Sequence, residues 1–412
     1  MYLCICVIEL LNPCWCPLIV QAFATRWCPS LEDNTSPQRV LHIVENLNRG
    51  AVENWLLRML RHARRRGVEV DWTFYCVVGT AGSNDEQAQA LGARIVRSPV
   101  PVGRKVAFMR ALRNEFLLGK YAIVHCHHDL VSAAYLLAAA GLPINHRIVH
   151  VHNADEGVPT PSRFKQYLYR EPMRRVCLKM ADRIVGISNH TLDSFLAGCS
   201  RKPKRDSVHY YGIDPTPFER TVSDRDRFRQ TCELPNDALV LLFGGRLVPE
   251  KNPLFAVDVL ASLRRREPRV FGVFAGTGSQ EQPILRRARE LNIEHSVRLV
   301  GWRHDLPEAM SCSDCFILPH PEHPMEGFGL AVVEAQLAGL RMLLSWGIAD
   351  DPLLPTAVFR RLSLNDGPDA WADGALELLH QPAPSRAAAI ESLAKSPMNM
   401  DHALNGLLQL YS

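Results

Sequence analysis

The chain alternates two hydrophobic patterns from Val40 onward. Short runs of β-branched and aromatic residues are followed by segments in which apolar residues recur at about every third or fourth position. The second pattern predicts amphipathic helices. The first predicts strands at Val40–Val44, Asp71–Cys76, Arg94–Val96, Ala122–His127, Arg147–His152, Arg183–Ser188, Ala238–Phe243, Val270–Ala275, Val297–Gly301, Cys315–Pro319 and Arg341–Ser345. Strands that alternate with helices predict parallel sheets covered by helices on both faces.

The pattern restarts after Tyr211–Phe218, which predicts two domains. We expect an α/β fold with two doubly wound, Rossmann-like domains at residues 39–213 and 214–395, followed by a C-terminal helix at 396–412. In such sheets, ligands bind beyond the carboxyl ends of the strands. Two domains facing each other therefore predict a site in the cleft between them.

Residues 1–38 do not share this pattern. The segment is apolar and rich in cysteine, but it contains Glu9, Pro13 and Pro17 and has no basic residue ahead of its apolar run. A signal peptide has a positive start, and a membrane-spanning helix has about 20 apolar residues with few charges. The sequence therefore favours a disordered extension, or a translation start assigned too early, over a membrane anchor.

The net charge and the distribution of cysteines indicate which partners and which cellular location the sequence favours. The 412 residues carry a formal net charge of +4, which is too small to indicate nucleic acid as the main partner. Beyond the N-terminal segment the cysteines are scattered, several of them in apolar stretches where a free thiol packs as a small hydrophobe. This distribution favours a reducing, cytoplasmic location.

The segment Pro324–Ala335, with the sequence PMEGFGLAVVEA, carries the strongest chemical signal. It follows a predicted strand, and Gly327 and Gly329 flank Phe328. Glycines let the backbone turn sharply and bring N–H groups close to a ligand. A helix that starts near Gly329 would present its N-terminus to a phosphate.

The same segment contains two glutamates, Glu326 and Glu334. The predicted buried face of the helix consists of Leu330, Val333, Leu337 and Leu340. Glu334 lies four residues after Leu330 and three before Leu337, so its carboxylate is expected to point toward this face rather than solvent. A carboxylate there needs polar partners, and sugar hydroxyls are suitable ones. The alternative is that Glu326 only favours the helix N-terminus and Glu334 is partly solvated.

The segment Gly244–Pro253, with the sequence GGRLVPEKNP, leaves another predicted strand and enters a helix with Asn252 as its N-cap. Gly245 permits the turn, and Arg246 and Lys251 can converge at the strand end. Two cations there would neutralise a diphosphate. The alternative is a loop whose cations are simply solvated.

Gly50 and two histidines are weaker candidates. Gly50 ends the loop after the first strand and would let the backbone approach a phosphate or sugar, but the turn lacks the G-x-G-x-x-G pattern of NAD-binding domains. His127 and His152 end two further strands and are expected to face the cleft, unless they are ordinary core or surface residues. A zinc site competes with this interpretation, but no H-E-x-x-H motif is present, and no metal site is predicted.

Together these segments resemble glycosyltransferase family 4, the retaining enzymes of GT-B fold, and especially its bacterial exopolysaccharide-synthesis members. The paired glutamates Glu326 and Glu334, and Arg246 with Lys251, match the family's most specific motifs. Supporting matches are the segments Leu47–Gly50, His150–Asn153, Ala181–Ser188 and Tyr210–Asp214. The resemblance covers about residues 39–412.

The resemblance implies roles for individual residues. Arg246 and Lys251 would hold the donor diphosphate. Glu326 would contact hydroxyls of the transferred sugar, and Glu334 would contact the ribose. The donor site would be completed by Gly50, Gly245, Gly327, Phe328, Gly329 and Leu330. The residues assigned to catalysis are His152, Glu326, Arg246 and Lys251.

Residues 39–213 would form the acceptor side, where Gly50 would approach the phosphate and His152 would lie beside the reacting sugar. The family usually has two adjacent glycines in this first turn, whereas Ala51 follows Gly50 here. The added methyl group puts the shape of the acceptor side in doubt.

The implied activity is retaining transfer of a hexose-type sugar from a nucleotide diphosphate sugar, with a UDP-sugar favoured. The acceptor would be a glycan or a polyprenyl-linked molecule, in exopolysaccharide or cell-surface polysaccharide synthesis. Two cations and a helix N-terminus would stabilise the leaving diphosphate without a metal, so no cofactor is expected. The alternatives are a nucleotide-sugar epimerase of the same architecture and a non-catalytic partner that retains the fold.

A basic segment bears on membrane contact. Residues 163–170 and the following Arg174 and Arg175 place Phe164, Tyr167 and Leu168 on one helical face among basic side chains. This pattern suits an interfacial helix on the anionic inner face of the plasma membrane. An ordinary helix packed on its own sheet is the alternative.

Overall fold

The computed structural model describes residues 38–48, 50–154, 166–220, 224–303 and 305–412. The N-terminal extension, apart from Gln38, lies outside the described residues.

The chain divides into two compact units. Unit 1 runs to Gly212 and includes Met400–Ser412, and unit 2 is Ile213–Asn399. The last helix of the chain therefore belongs to the same unit as the first strand.

Unit 1 is built on a seven-stranded parallel sheet. Its strands are β1 (Arg39–Val44), β2 (Asp71–Cys76), β3 (Arg94–Arg97), β4 (Ile123–Cys126), β5 (His146–Val151), β6 (Arg183–Gly186) and β7 (Asp206–Val208). Their spatial order is β3-β2-β1-β4-β5-β6-β7. The strand order therefore reverses between β1 and β4, which are direct neighbours.

Unit 2 is built on a six-stranded parallel sheet. Its strands are β8 (Leu239–Gly244), β9 (Val270–Ala275), β10 (Val297–Gly301), β11 (Cys315–Leu318), β12 (Arg341–Ser345) and β13 (Phe359–Leu362). The spatial order is β10-β9-β8-β11-β12-β13, so the reversal lies between β8 and β11.

Helices connect the strands in both units. In unit 1 they are α1 (Ala51–Arg65), α2 (Asp85–Ala90), α3 (Lys105–Gly119), α4 (Ser132–Ala138), α5 (Glu171–Met180) and α6 (Asn189–Leu196). In unit 2 they are α7 (Thr216–Arg220), α8 (Arg225–Thr231), α9 (Pro253–Arg264), α10 (Glu281–Glu290), α11 (Leu306–Ser311), α12 (Leu330–Leu337), α13 (Gly367–His380) and α14 (Arg386–Ala394). The chain returns to unit 1 with α15 (Met400–Gln409).

Each predicted strand is present, with ends that agree within two residues. β9 is buried at every position, as expected of a parallel strand covered on both faces. Two strands were not predicted. β7 has only three residues, and β13 is an edge strand with the sequence FRRL, whose two arginines conceal its strand character.

The structure corrects part of the membrane-helix hypothesis. Residues 163–165 lie outside the described residues. Arg174, however, is buried in α5, where its guanidinium donates to the Phe195 carbonyl at 2.9 Å and pairs with Glu171 at 2.6 Å. The Arg174 side chain is therefore packed within unit 1 and does not face a membrane surface. No helix in the described part of the chain is both long and apolar enough to cross a membrane.

Candidate active site

The candidate donor site lies at the strand reversal of unit 2. The loops after β8 and β11 leave the carboxyl ends of two adjacent strands, and the register pairs Leu241 with Cys315. Loops at such a reversal diverge to opposite sides of the sheet and leave a crevice between them. The loop after β8 carries Arg246 and Lys251, and the loop after β11 carries Glu326.

Close backbone packing shapes the loop after β8. Gly245 has φ +147° and donates its N–H to the Ala275 carbonyl at 3.0 Å. Gly276, with φ +153°, approaches so closely that a Cβ atom there would lie 1.8 Å from the Gly245 oxygen. A Cβ at Gly278 would lie 2.2 Å from the Leu247 oxygen. The two glycines after β9 are therefore required by the loop that presents Arg246.

Lys251 and Glu326 meet, although 74 residues lie between them in the sequence. The Lys251 ammonium group contacts the Glu326 carboxylate, and the two side chains are only 18% and 16% exposed. Lys251 ends a single helical turn, Pro249–Lys251, and Asn252 then precedes α9. The structure thus confirms the predicted start of α9, but the Asn252 side chain makes no capping hydrogen bond.

The surroundings of Lys251 lower its pKa, so a bound ligand can change the charge of its side chain. Burial lowers the pKa of Lys251 to about 7, and the positive charge of Arg246 acts in the same direction. The negative charge of Glu250 opposes this shift because it stabilises the ammonium form. Arg246 itself is exposed. A diphosphate bound here would meet one exposed cation, Arg246, and one partly buried cation, Lys251, already paired with a carboxylate.

His320 adds a third group that the sequence analysis did not identify. Its Nε2 atom lies 3.6 Å from a Glu326 carboxylate oxygen, and its side chain is 6% exposed. Burial, with a smaller contribution from Lys251, lowers the pKa of His320 to about 4. Its Nδ1 atom lies 2.9 Å from the Pro321 carbonyl, which can only accept, so Nδ1 carries the proton and Nε2 is an acceptor. A hydroxyl group beside His320 and Glu326 could donate its hydrogen to either acceptor.

Gly347 positions this loop and was also not identified from the sequence. Its carbonyl accepts the Glu326 N–H at 2.9 Å, and a Cβ atom at Gly347 would lie 2.1 Å from the Pro321 oxygen. The Ser345 hydroxyl donates to the His320 carbonyl at 2.5 Å. The end of β12 therefore fixes the backbone on both sides of the Glu326 loop.

The predicted helix start after Glu326 is confirmed. Gly329 precedes α12 with φ +82°, in the left-handed region that glycine adopts without strain. Phe328 is buried, and Gly327 is partly buried. The N–H groups of the first turn of α12, beginning at Leu330, follow directly from the loop that contains Glu326.

Glu334 lies one turn into α12 and is partly buried. Of the predicted buried face, Val333, Leu337 and Leu340 are buried, whereas Leu330 is only partly buried. Glu334 therefore lies at the boundary between the packed face of α12 and solvent, where its carboxylate can accept hydrogen bonds.

Gly50 is the first candidate site residue in unit 1. Gly50 immediately precedes α1, but its φ of −82° is open to any residue. A Cβ atom there would lie 2.0 Å from a Glu53 carboxylate oxygen, and burial raises the pKa of Glu53. The following Ala51 is exposed as the first residue of α1. In this conformation the Glu53 carboxylate lies against the backbone of Gly50.

His152 follows β5 directly, as predicted, but it is buried. Its Nδ1 atom lies 2.8 Å from the Tyr211 hydroxyl, and its Nε2 atom lies 3.0 Å from Nδ1 of His127. Burial lowers the pKa of His152 to about 3. Both ring nitrogens are occupied, so a contact between this ring and a sugar requires one of these hydrogen bonds to open. The catalytic assignment of His152 stays a prediction.

Family models match both units. The model described as Glycosyltransferase Family 4 matches residues 52–216, and the model described as Glycosyl transferases group 1 matches residues 224–392. The chain belongs to the family 4 glycosyltransferases, and it is therefore an enzyme of the glycosyltransferase class.

Among its relatives, the EpsF protein of Bacillus subtilis is 28% identical over 385 residues, which cover 92% of this chain and 97% of EpsF. The UDP-Gal:α-D-GlcNAc-diphosphoundecaprenol α-1,3-galactosyltransferase of Escherichia coli is 26% identical over 245 residues, which cover 58% of this chain and 60% of that enzyme.

Solved structures establish the fold class as GT-B. Anabaena HepE in complex with UDP-glucose has a TM-score of 0.72 at 17% identity, covering 90% of this chain and 98% of HepE. WaaG, a glycosyltransferase of lipopolysaccharide biosynthesis, has a TM-score of 0.68 at 15% identity, covering 89% of this chain and 98% of WaaG.

Proposed function

We propose that this glycosyltransferase is a retaining enzyme that transfers a hexose from a UDP-sugar to a glycan or polyprenyl-linked acceptor in exopolysaccharide or cell-surface polysaccharide synthesis. The observation that carries the proposal is the contact between Lys251 and Glu326 at the strand reversal of unit 2, next to the N-terminus of α12. This arrangement combines cations for a diphosphate with acceptors for sugar hydroxyls.

Arg246, Lys251 and the first N–H groups of α12 would bind the diphosphate. They would stabilise the negative charge that develops on it as the bond to the sugar breaks. Donor binding would transfer the Lys251 contact from Glu326 to a phosphate oxygen. Glu326 would then be free to accept hydrogen bonds from sugar hydroxyls, and Glu334 from the ribose.

In the transfer step, the bond between the sugar C1 and the diphosphate oxygen breaks, and a bond from C1 to the acceptor hydroxyl oxygen forms. The acceptor proton passes to an oxygen of the departing diphosphate. Attack on the same face as the leaving group would retain the anomeric configuration. This route needs neither a metal at the diphosphate nor a charged His152.

Two relatives support the choice of donor and acceptor. HepE has been crystallised with UDP-glucose, and the name of the Escherichia coli enzyme specifies a UDP-sugar and a diphosphoundecaprenol-linked acceptor. The similarity of the putative glycosyltransferase EpsF over nearly the whole chain supports sugar transfer as the activity. A peripheral membrane contact is proposed only as a consequence of a lipid-linked acceptor.

Transfer from UDP-glucose and UDP-galactose to GlcNAc-diphosphoundecaprenol tests the proposal, with UDP release and the product anomer both measured. We expect UDP release to require the acceptor and the product to be α-linked. Glu326→Gln should lower kcat/KM by roughly 10- to 100-fold, because it weakens a charged hydrogen bond. Glu322→Gln is the matched control, since its carboxylate lies in the same loop and bonds Ser363 instead. A β-linked product, or an epimerised sugar released without acceptor, would refute the proposal.

A further inference from the structure

A layer of buried histidines lies within unit 1, on one side of its sheet. Its members come from β1, from β4 and β5 with the residues that follow them, and from the residue after β7: His42, His125, His127, His150, His152 and His209. Their rings pack against Trp55 of α1 and Tyr411 at the C-terminus. Six adjacent imidazoles in a core are chemically unusual, because aliphatic side chains would fill the same space without polar atoms to satisfy.

The rings form two hydrogen-bonded chains. In the first, His42 Nδ1 lies 3.1 Å from His127 Nε2, and His127 Nδ1 lies 3.0 Å from His152 Nε2. Nδ1 of His152 then meets the Tyr211 hydroxyl at 2.8 Å.

In the second chain, His150 Nδ1 lies 3.1 Å from His125 Nε2, and His125 Nδ1 lies 3.2 Å from the Tyr411 hydroxyl. The remaining nitrogen of His150, Nε2, is buried and has no hydrogen-bonding partner.

We propose that His127, His150 and His152 bind one divalent transition-metal ion of the zinc type. One ring nitrogen from each of these residues lies within 4.8 Å of one from each of the others. The ion would take the place of the proton between His127 Nδ1 and His152 Nε2, and one ring nitrogen of His150 would be the third ligand. This inference does not depend on the proposed transferase reaction.

The hydrogen bonds around the three ligands fit this role. A metal-bound histidine normally donates its other N–H to a neighbouring acceptor, which fixes the ring orientation. With a metal bound, His127 Nε2 would donate to His42 and His152 Nδ1 to Tyr211. Two of the three proposed ligands therefore already have a partner on the side away from the ion.

The distances require only modest movement. Zinc–nitrogen bonds of about 2.0–2.1 Å in tetrahedral geometry place ligand nitrogens about 3.3 Å apart. The His127–His152 separation of 3.0 Å is within a few tenths of an ångström of that value. The His150 nitrogen, within 4.8 Å of the other two, would need to approach by at most about 1.5 Å. The fourth ligand of a tetrahedral ion would come from outside these three side chains.

The electrostatic setting also suits a cation. Burial lowers the pKa of each proposed ligand, so the imidazoles are neutral and keep a lone pair for a metal. The Asp129 carboxylate accepts the His152 backbone N–H at 2.8 Å and brings a negative charge beside the site.

A neighbouring set, His42, His125 and His127, meets the same distance criterion. It is the weaker candidate because both nitrogens of His125 already have partners, so metal binding there would break a hydrogen bond to His150 or Tyr411. Since His127 belongs to both sets, the two sites exclude each other.

Zinc and cobalt binding to the full chain, freed of metal and without a histidine tag, tests the proposal. We expect about one ion per chain, because three converging ligands hold a single ion. The cobalt form should show visible absorption typical of tetrahedral coordination by nitrogen, without the near-ultraviolet charge-transfer band of thiolate ligands. That last feature distinguishes this site from binding by the cysteines of residues 1–37.

His150→Gln should weaken binding by more than the roughly 10- to 100-fold that loss of an outer hydrogen-bonding partner costs. His209→Gln is the matched control, because His209 belongs to the same buried layer but to neither ligand set. It should bind the metal like the wild type. Circular dichroism checks that both variants fold, and the wild-type cobalt spectrum remains decisive if one does not. A wild type that binds no metal, binding through thiolates alone, or unchanged binding by a folded His150→Gln would overturn the proposal.

Discussion

The pH dependence of UDP binding should report the charge of Lys251. The pKa of this residue in the unliganded enzyme is about 7. A charge contact with a phosphate worth about 3 kcal/mol would raise it by about two units, because one unit corresponds to about 1.36 kcal/mol. The pKa in the complex would then be about 9.

The direction of the effect follows from proton linkage. Binding that raises a pKa takes up a proton wherever the free group is deprotonated and the bound group is not. Affinity should therefore be constant below pH 7 as far as Lys251 is concerned, fall between about pH 7 and pH 9, and level off above. The total loss should be about hundredfold, the equivalent of two pKa units.

Isothermal titration of UDP between pH 7 and 9.5 measures this slope, because the terminal phosphate, with a pKa near 6, is already ionised in that range. Lys251→Arg is the control. Its guanidinium stays charged throughout, so its profile should be nearly flat even if its affinity differs from that of the wild type. His320, with its pKa of about 4, does not titrate in this window. A flat wild-type profile, or equal slopes in the two proteins, would refute the assignment of Lys251 to the diphosphate.

Three further outcomes are expected. Arg246→Ala should lower kcat/KM about hundredfold without loss of folded protein, because it removes a transition-state charge contact from an exposed side chain; unchanged kinetics would remove Arg246 from the site. UDP binding should be equal in EDTA and in magnesium, since cationic side chains neutralise the diphosphate, and affinity that depends on magnesium would contradict this. Gly276→Ala should displace the Gly245 carbonyl, add about 1–3 kcal/mol of strain and weaken UDP binding. Gly301→Ala is the control, because Gly301 also has a positive φ but no atom lies within 4 Å of the added Cβ. It therefore carries the backbone cost of alanine without the steric clash. Equal UDP affinity in Gly276→Ala and Gly301→Ala would show that the clash with the Gly245 carbonyl does not weaken binding.

The fold was largely predictable because parallel strands covered on both faces are continuous apolar runs. β9 and β12 were predicted with their observed bounds for this reason. β13 was not, because an edge strand exposes one side and tolerates Arg360 and Arg361. Local periodicity contains no information about such exposed edges.

Candidate site residues could be proposed from the sequence where a motif lies within one loop. Arg246, Lys251 and Glu326 were identified individually, and the contact between Lys251 and Glu326 followed from the strand order rather than from either loop alone. His320 was missed although it lies two residues beyond the end of β11, the kind of position that made His127 and His152 candidates.

The histidine layer shows a different limit. A metal site on one helix has fixed sequence spacing, such as H-E-x-x-H, which can be recognised in the sequence alone. Here the proposed ligands follow the two-residue period of β5 and the end of the adjacent β4. Only strand pairing brings His127 next to His150 and His152, and the sequence alone does not give the pairing.

A crystal structure of the enzyme with UDP would show which residues bind the diphosphate. We expect diphosphate oxygens within about 2.7–3.2 Å of both the Arg246 guanidinium and the Lys251 ammonium group. We also expect the ribose hydroxyls at Glu334, and a Glu326 carboxylate released from Lys251. UDP bound elsewhere in the chain, with the Lys251–Glu326 contact intact and Arg246 away from the phosphates, would refute the proposed donor site.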